Sequence, residues 1–202
     1  MLDRIALRVL TPLLTRLARG LVGLGVAADA ITLAAFTLGI AAAALIALSM
    51  PLWGLAVLLL SRLLDGLDGT VARLTRISDR GAFLDITLDF LVYAAVPLAF
   101  AVSQPAANAL PAAVLLAAFV GTGSSFLAFS VLAERRGLKS SDYPSKGIYY
   151  LGGLTEASET LLCFALMCLW PQHFAWWAYG FAAMCVATIV TRVIAGWRAL
   201  SV

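Results

Sequence analysis

RLLDGLDGTVARLTRISDRGAFLDITLDF, residues 62–90, places Asp65, Asp68, Asp85 and Asp89 at helical spacings in a chain of which only 12% is charged. Asp65 and Asp68 are i, i+3, and Asp85 and Asp89 are i, i+4, so each pair lies on one face of a helix. Gly69 and Ala72 continue the face of the first pair, where small side chains let a ligand approach the backbone, and Arg73 follows on the same side. Two antiparallel helices joined by a short loop would turn the pairs toward each other.

The surroundings are apolar. Of the 202 residues 62% are hydrophobic, against roughly 45–50% in soluble domains, and the mean hydropathy is +0.98. The apolar runs divide into about six segments, each near the roughly 20 residues that cross a bilayer core. The predicted fold is an all-α integral membrane domain over residues 1–202: a six-helix bundle at 21–200, preceded by an amphipathic interfacial helix at 1–20. Asp29 is expected to cap the first span, Pro51 to open the second and Gly81 to begin the third. Pro105 and Pro111 mark the next turn, the polar stretch from Glu134 to Lys146 separates the fourth and fifth spans, and Pro171 breaks the fifth from the sixth.

The cations fall at one set of helix ends: Arg4 to Arg19, Arg62 to Arg80, Arg135 to Lys146, and Arg192 with Arg198. The turns near Met50, Gln104 and Pro171 carry none. Lys and Arg are retained in the cytosol during insertion, so both termini and the 62–90 stretch are expected to be cytosolic.

Leu2, Ile5, Val9, Leu10, Leu13, Leu14 and Leu17 recur at helical spacing with arginines between them. That leaves no uninterrupted apolar core of the kind a signal peptide needs, and suits a helix lying in the interface with a kink at Pro12. Cys163, Cys168 and Cys185 lie inside predicted spans without metal-ligand spacing and read as packing residues. His173, the single histidine, lies on the far side from the carboxylates, which removes Ser-His-Asp and Cys-His mechanisms. Nothing points to nucleic acid as a partner.

Carrying an ionised group into hydrocarbon costs on the order of a few kcal/mol, and four carboxylates repel one another, so cations must sit among them. Arg62 and Arg73 neutralise part of the charge. Oxygen-only clusters are the natural ligands of hard divalent ions, and two such ions, Mg²⁺ or Mn²⁺, would balance four aspartates. A paired-metal site clamps phosphate oxygens, which suggests phosphoryl or phosphodiester transfer at the cytosolic membrane surface. An internal salt-bridge network with Arg62, Arg73, Arg76 and Arg80 is the structural alternative.

Asp65-x2-Asp68-Gly69-x2-Ala72-Arg73 followed by Gly81-x3-Asp85-x3-Asp89 resembles the signature of the CDP-alcohol phosphotransferases. The chain departs from it in one respect: seven residues separate Arg73 from Gly81, where eight or nine are usual. The resemblance implies transfer of a substituted phosphate from a CDP-linked donor to an alcohol, with release of CMP, and a homodimer. It makes Asp65, Asp68, Asp85 and Asp89 the metal ligands, Asp89 the base on the acceptor hydroxyl, and Asp65, Gly69, Ala72 and Arg73 the receptors of the CDP moiety, with Gly81 structural. The compact chain most resembles the phosphatidyl-transferring branch, which implies CDP-diacylglycerol as donor and a bacterial inner membrane as setting. A soluble CDP-alcohol donating its headgroup to diacylglycerol uses the same motif.

For the small alcohol acceptor, the candidates are Lys146, Arg136, Arg192, Glu156 and Glu159. Converging cations would suit a phosphorylated acceptor, and the glutamates would serve hydroxyls, an amine or a pairing with Arg192. Gly121 to Ser125 read as a small-residue helix contact. A transporter with intramembrane carboxylates is the reading from another class, but the aspartates cluster near one face and no second half repeats them.

Overall fold

A computed structural model describes residues 2–137 and 154–201, with side chains from Thr11 onward. Lys146 lies outside the described residues. The helices are α1 (Leu2–Gly23), α2 (Ala28–Ala47), α3 (Pro51–Leu74), α4 (Asp79–Ser103), α5 (Pro105–Arg135), α6 (Ala157–Leu169) and α7 (Phe174–Leu200), with a 3₁₀ turn at Pro171–His173 before α7. Among the described residues, α2, α4, α5 and the Pro171–Leu200 segment are long and apolar enough to cross a membrane. α3 has the length, 24 residues, but carries Arg62, Asp65, Asp68 and Arg73 in its second half. α6 has 13 residues.

Local chemistry sets the ends. α1 closes on Gly25, whose φ of +74° is the left-handed conformation that lets Gly25 and Val26 donate back to Val22 and Leu21. Pro51 and Pro105 stand at the first turns of α3 and α5, where a missing N–H costs nothing. Ser78 caps α4, its hydroxyl accepting from Gly81 N at 3.1 Å. Two expectations change. Ala27, not Asp29, is the N-cap of α2, and Asp29 in the first turn instead accepts from Arg80 Nε of α4 at 3.0 Å. Pro111 lies inside α5, because the turn is completed earlier, where buried Asn108 donates to the Phe100 carbonyl at 3.0 Å. The helix of α1 runs through Pro12 as a single element.

α2 is the pivot and packs most heavily on α3, then on α4; α5 pairs with α7 and touches α4; α1 lies along α3. α2 and α3 approach closely at Gly54, where a Cβ would meet Ile46 Cγ1 at 2.5 Å and the Ala42 carbonyl at 3.0 Å. The main core joins Ile46, Leu58, Val92, Val96, Phe100, Leu115, Phe164 and Met167, with Phe100 stacked on Phe174 at 4.7 Å. A second cluster holds Leu14 and Ala18 of α1 against Ile31, Leu67 and Val71. The amphipathic first helix is thereby docked on the aspartate-bearing end of α3. Many outward residues, such as Leu98, Val120, Val186 and Val193, are large, apolar and exposed, as a lipid-facing surface requires.

Candidate active site

Asp65 and Asp68 occupy the last turns of α3, and Asp85 and Asp89 the first turns of α4, with only four residues between the two helices. The antiparallel return brings the pairs together. One carboxylate oxygen from each of Asp65, Asp68 and Asp85 lies within 4.8 Å of the others. Asp68 is buried, 4% exposed, and its Oδ2 makes no hydrogen bond.

These residues fit a divalent ion. The donors are all oxygen, which suits Mg²⁺ or Mn²⁺, and a cation among the three would compensate their crowded negative charge.

Asp89 is arranged differently. It lies outside the three-oxygen cluster and pairs with Arg62 Nη1. The Arg62 side chain, 10% exposed, also stands 3.6 Å from Asp65, donates to Ser61 Oγ at 3.1 Å and lies over the Tyr93 ring, 5.7 Å from its centroid. Ser61 in turn donates to the Ala35 carbonyl of α2 at 2.7 Å. The sequence marked Arg62 only as one of several possible counter-ions; its central place appears when α4 returns.

A cavity of about 860 Å³ opens beside the aspartates among α3 to α7. Asp85, Asp89, Ala82 and Arg73 line one part, Tyr93, Phe119 and Phe126 give it aromatic walls, and Thr122, Ser124, Thr155, Glu156, Thr160 and Arg192 supply polar groups. Arg73 donates to Thr70 Oγ1 at 3.0 Å. A Cβ on Gly69 would meet the Arg73 guanidinium at 3.4 Å, so the small face of α3, with half-buried Ala72, runs beneath that cation.

Of the acceptor candidates, Arg192 and Glu156 reach the cavity. Arg192 is buried, donates to the Thr122 carbonyl at 3.1 Å and lies over Phe126 at 5.6 Å. Thr188 braces the segment before Glu156, accepting from Leu154 N at 3.1 Å and from the Thr155 hydroxyl at 3.0 Å. Two candidates stand outside the walls. Arg136 donates to the Leu200 carbonyl at 2.7 Å, closing the end of α7. Glu159 precedes the wall residue Thr160 and so is turned about 100° from it around α6.

Gly121 and Gly123 make the expected helix contacts, against Ile189 of α7 and Phe90 of α4. Thr122 between them and Ser124 just after also line the cavity. The three cysteines are buried and free.

Residues 25–194 match the family model described as CDP-alcohol phosphatidyltransferase. The chain belongs to this family. It is therefore a transferase of substituted phosphate groups. It is 49% identical over 200 residues, 99% of this chain and 97% of the relative, to the inner membrane protein YnjF of Escherichia coli (strain K12). Its fold matches Mycobacterium tuberculosis phosphatidylinositol phosphate synthase (PgsA1) crystallised with CDP-DAG bound, at TM-score 0.73 and 23% identity over 91% of this chain and 93% of that one. It matches the same synthase in complex with manganese and citrate at TM-score 0.73 and 24% identity, over 91% and 88%.

Proposed function

We propose that this CDP-alcohol phosphatidyltransferase moves the phosphatidyl group of CDP-diacylglycerol to a small alcohol at the cytosolic face of a bacterial inner membrane, releasing CMP. The observation that carries this reading is the meeting of the Asp65–Asp68–Asp85 cluster with a cavity that also holds Arg73 and Asp89. In this reading α2 to α7 are the six spans, both termini are cytosolic and the enzyme works as a homodimer. The setting is supported by the inner-membrane relative, and the donor by a fold neighbour that binds CDP-DAG.

Asp65, Asp68 and Asp85 would hold divalent metal, Mg²⁺ or Mn²⁺. A divalent ion held there would supply Lewis-acid charge to offset that of the phosphates and of the departing CMP. The chain's own residues do the rest. Gly69 and Ala72 leave room for the nucleotide along α3, and Arg73 meets diphosphate oxygens with a charge-assisted hydrogen bond. Asp89 receives the acceptor hydroxyl's proton as its oxygen attacks phosphorus. The apolar part of the cavity, walled by Ala94, Leu116 and Phe119, keeps water from competing for the phosphatidyl group. Arg192 and Glu156 orient the acceptor from the α6–α7 side.

The test is CMP release by the purified protein in lipid, with CDP-diacylglycerol, Mg²⁺ or Mn²⁺, and a panel of acceptors including glycerol 3-phosphate, inositol phosphate, serine and glycerol. Metal-dependent release with one acceptor identifies the product lipid. CDP binding without release under any of these acceptors would keep the site and point to another donor or acceptor, and loss of CDP binding as well would overturn the reading.

A further inference from the structure

α1 is divided lengthwise into three sectors. Leu14 and Ala18 are buried in the cluster with Ile31 of α2 and Leu67 and Val71 of α3. Leu13 and Leu17 are 51% and 44% exposed, and at about 100° per residue they fall on one flank, roughly 60–100° around the helix from Leu14. Arg16 and Arg19, both exposed, lie roughly 140–160° from Leu14, on the side away from the bundle. No acidic residue lies between Thr11 and Val26, and among the residues whose side chains are described neither arginine makes an ion pair. We propose that α1 binds anionic phospholipid headgroups through Arg16 and Arg19, and that this hold steadies the turn of α3 that carries Asp65 and Asp68.

The three sectors name the partner. A helix that only packed on the bundle would have no use for exposed leucines beside its arginines. An apolar flank set between a packed stripe and a cationic face places that flank among acyl chains and the guanidinium groups at the level of the phosphates. Net lipid charge then sets the strength: each basic residue at the surface favours an anionic membrane about fivefold, whereas a zwitterionic headgroup offers no net charge. The link to α3 follows from the packed stripe. Leu14 Cδ1 stands 3.4 Å from the place of a Cβ on Gly66, the residue after Asp65, and Leu67 of the same cluster precedes the buried Asp68. α1 thus backs the turn that presents the two carboxylates. A lipid surface that holds α1 in place limits the movement of that turn, which makes lipid charge a regulator of the site.

Hydrogen–deuterium exchange of the full chain in nanodiscs tests this without substrate, comparing phosphatidylcholine alone with phosphatidylcholine containing about 30% phosphatidylglycerol. Amides of residues 13–22 and 66–72 are expected to exchange more slowly in the anionic discs, by up to about 25-fold for two arginines at fivefold each. High salt should remove the difference by screening. Arg16→Gln combined with Arg19→Gln should remove it as well, and Arg16→Lys with Arg19→Lys should keep it. Arg198→Gln, at an exposed cation in the last turn of α7, should leave it intact. Equal exchange of the wild type in both discs would overturn the proposal, as would slowing that survives the double glutamine substitution. Slowing of residues 13–22 alone would overturn the link to α3. CMP release, read in parallel, should be higher for the wild type in anionic discs and equal in both discs for the double glutamine variant. This last readout rests on the transferase reading above; absence of CMP release from every disc would count against that reading, and the exchange pattern would still decide the lipid proposal.

Discussion

Asp29 stands directly against Gly81: a Cβ at position 81 would lie 3.2 Å from Asp29 Oδ1 and 3.1 Å from Ser78 Oγ. The same Asp29 carboxylate binds Arg80 through Nε and Nη2. The first turn of α2 is thus clamped to the first turn of α4, and the glycine makes room for the clamp. Asp85 lies one turn further along α4 from this contact.

Gly81→Ala is therefore expected to push Asp29 or Ser78 aside. The cost of such overpacking is about 1–3 kcal/mol, read as a lower thermal midpoint in lipid, with a loss of CMP release beyond the loss of folded protein. Gly180→Ala, where a Cβ meets nothing within 4 Å, is the control and should not lower the midpoint. An undisturbed Gly81→Ala would show that the clamp does not set the geometry.

Asp89→Asn is expected to lower the maximal rate of CMP release by roughly 10²–10⁴-fold, the range for loss of a general base. The variant should still bind CDP, measured by equilibrium binding in lipid. Full activity in Asp89→Asn would remove it from the proton transfer.

Chelation with EDTA should abolish CMP release, and Mg²⁺ or Mn²⁺ should restore it. Asp68→Asn, which alters the buried carboxylate whose Oδ2 makes no hydrogen bond, should resist that restoration while the helical circular dichroism spectrum stays unchanged. Activity that survives chelation would separate the aspartates from metal.

Arg192→Gln and Glu156→Gln are expected to raise the KM for the acceptor by about tenfold, since charged hydrogen bonds contribute about 1.5–3 kcal/mol, and to leave the KM for the CDP-linked donor within twofold. Equal effects on both substrates would remove these residues from acceptor binding. Arg136→Gln and Glu159→Gln, both outside the cavity walls, should change neither KM.

The helical class, most helix limits and the four aspartates were legible in the sequence because each rests on local rules. A bilayer requires every backbone N–H and C=O to be satisfied within the helix, so apolar runs of spanning length can only be helices. Proline and glycine punctuate them, and i, i+3 and i, i+4 spacings put each aspartate pair on one face. What only the tertiary structure decided is how the pairs meet and who joins them. No local rule states that the return of α4 brings Asp85 to Asp65 and Asp68 while Asp89 faces Arg62, that Asp29 pairs with Arg80 rather than capping α2, or that Glu156 and Arg192 share a cavity that Arg136 and Glu159 do not. These depend on the rotation of each helix about its own axis, which is set by packing such as Ile46 at Gly54 and Val92 at Gly39, between residues far apart in the chain. The sequence by itself determined the chemistry available, and the packing of α2 against α3 and α4 decided which carboxylates stand together and which one pairs with Arg62.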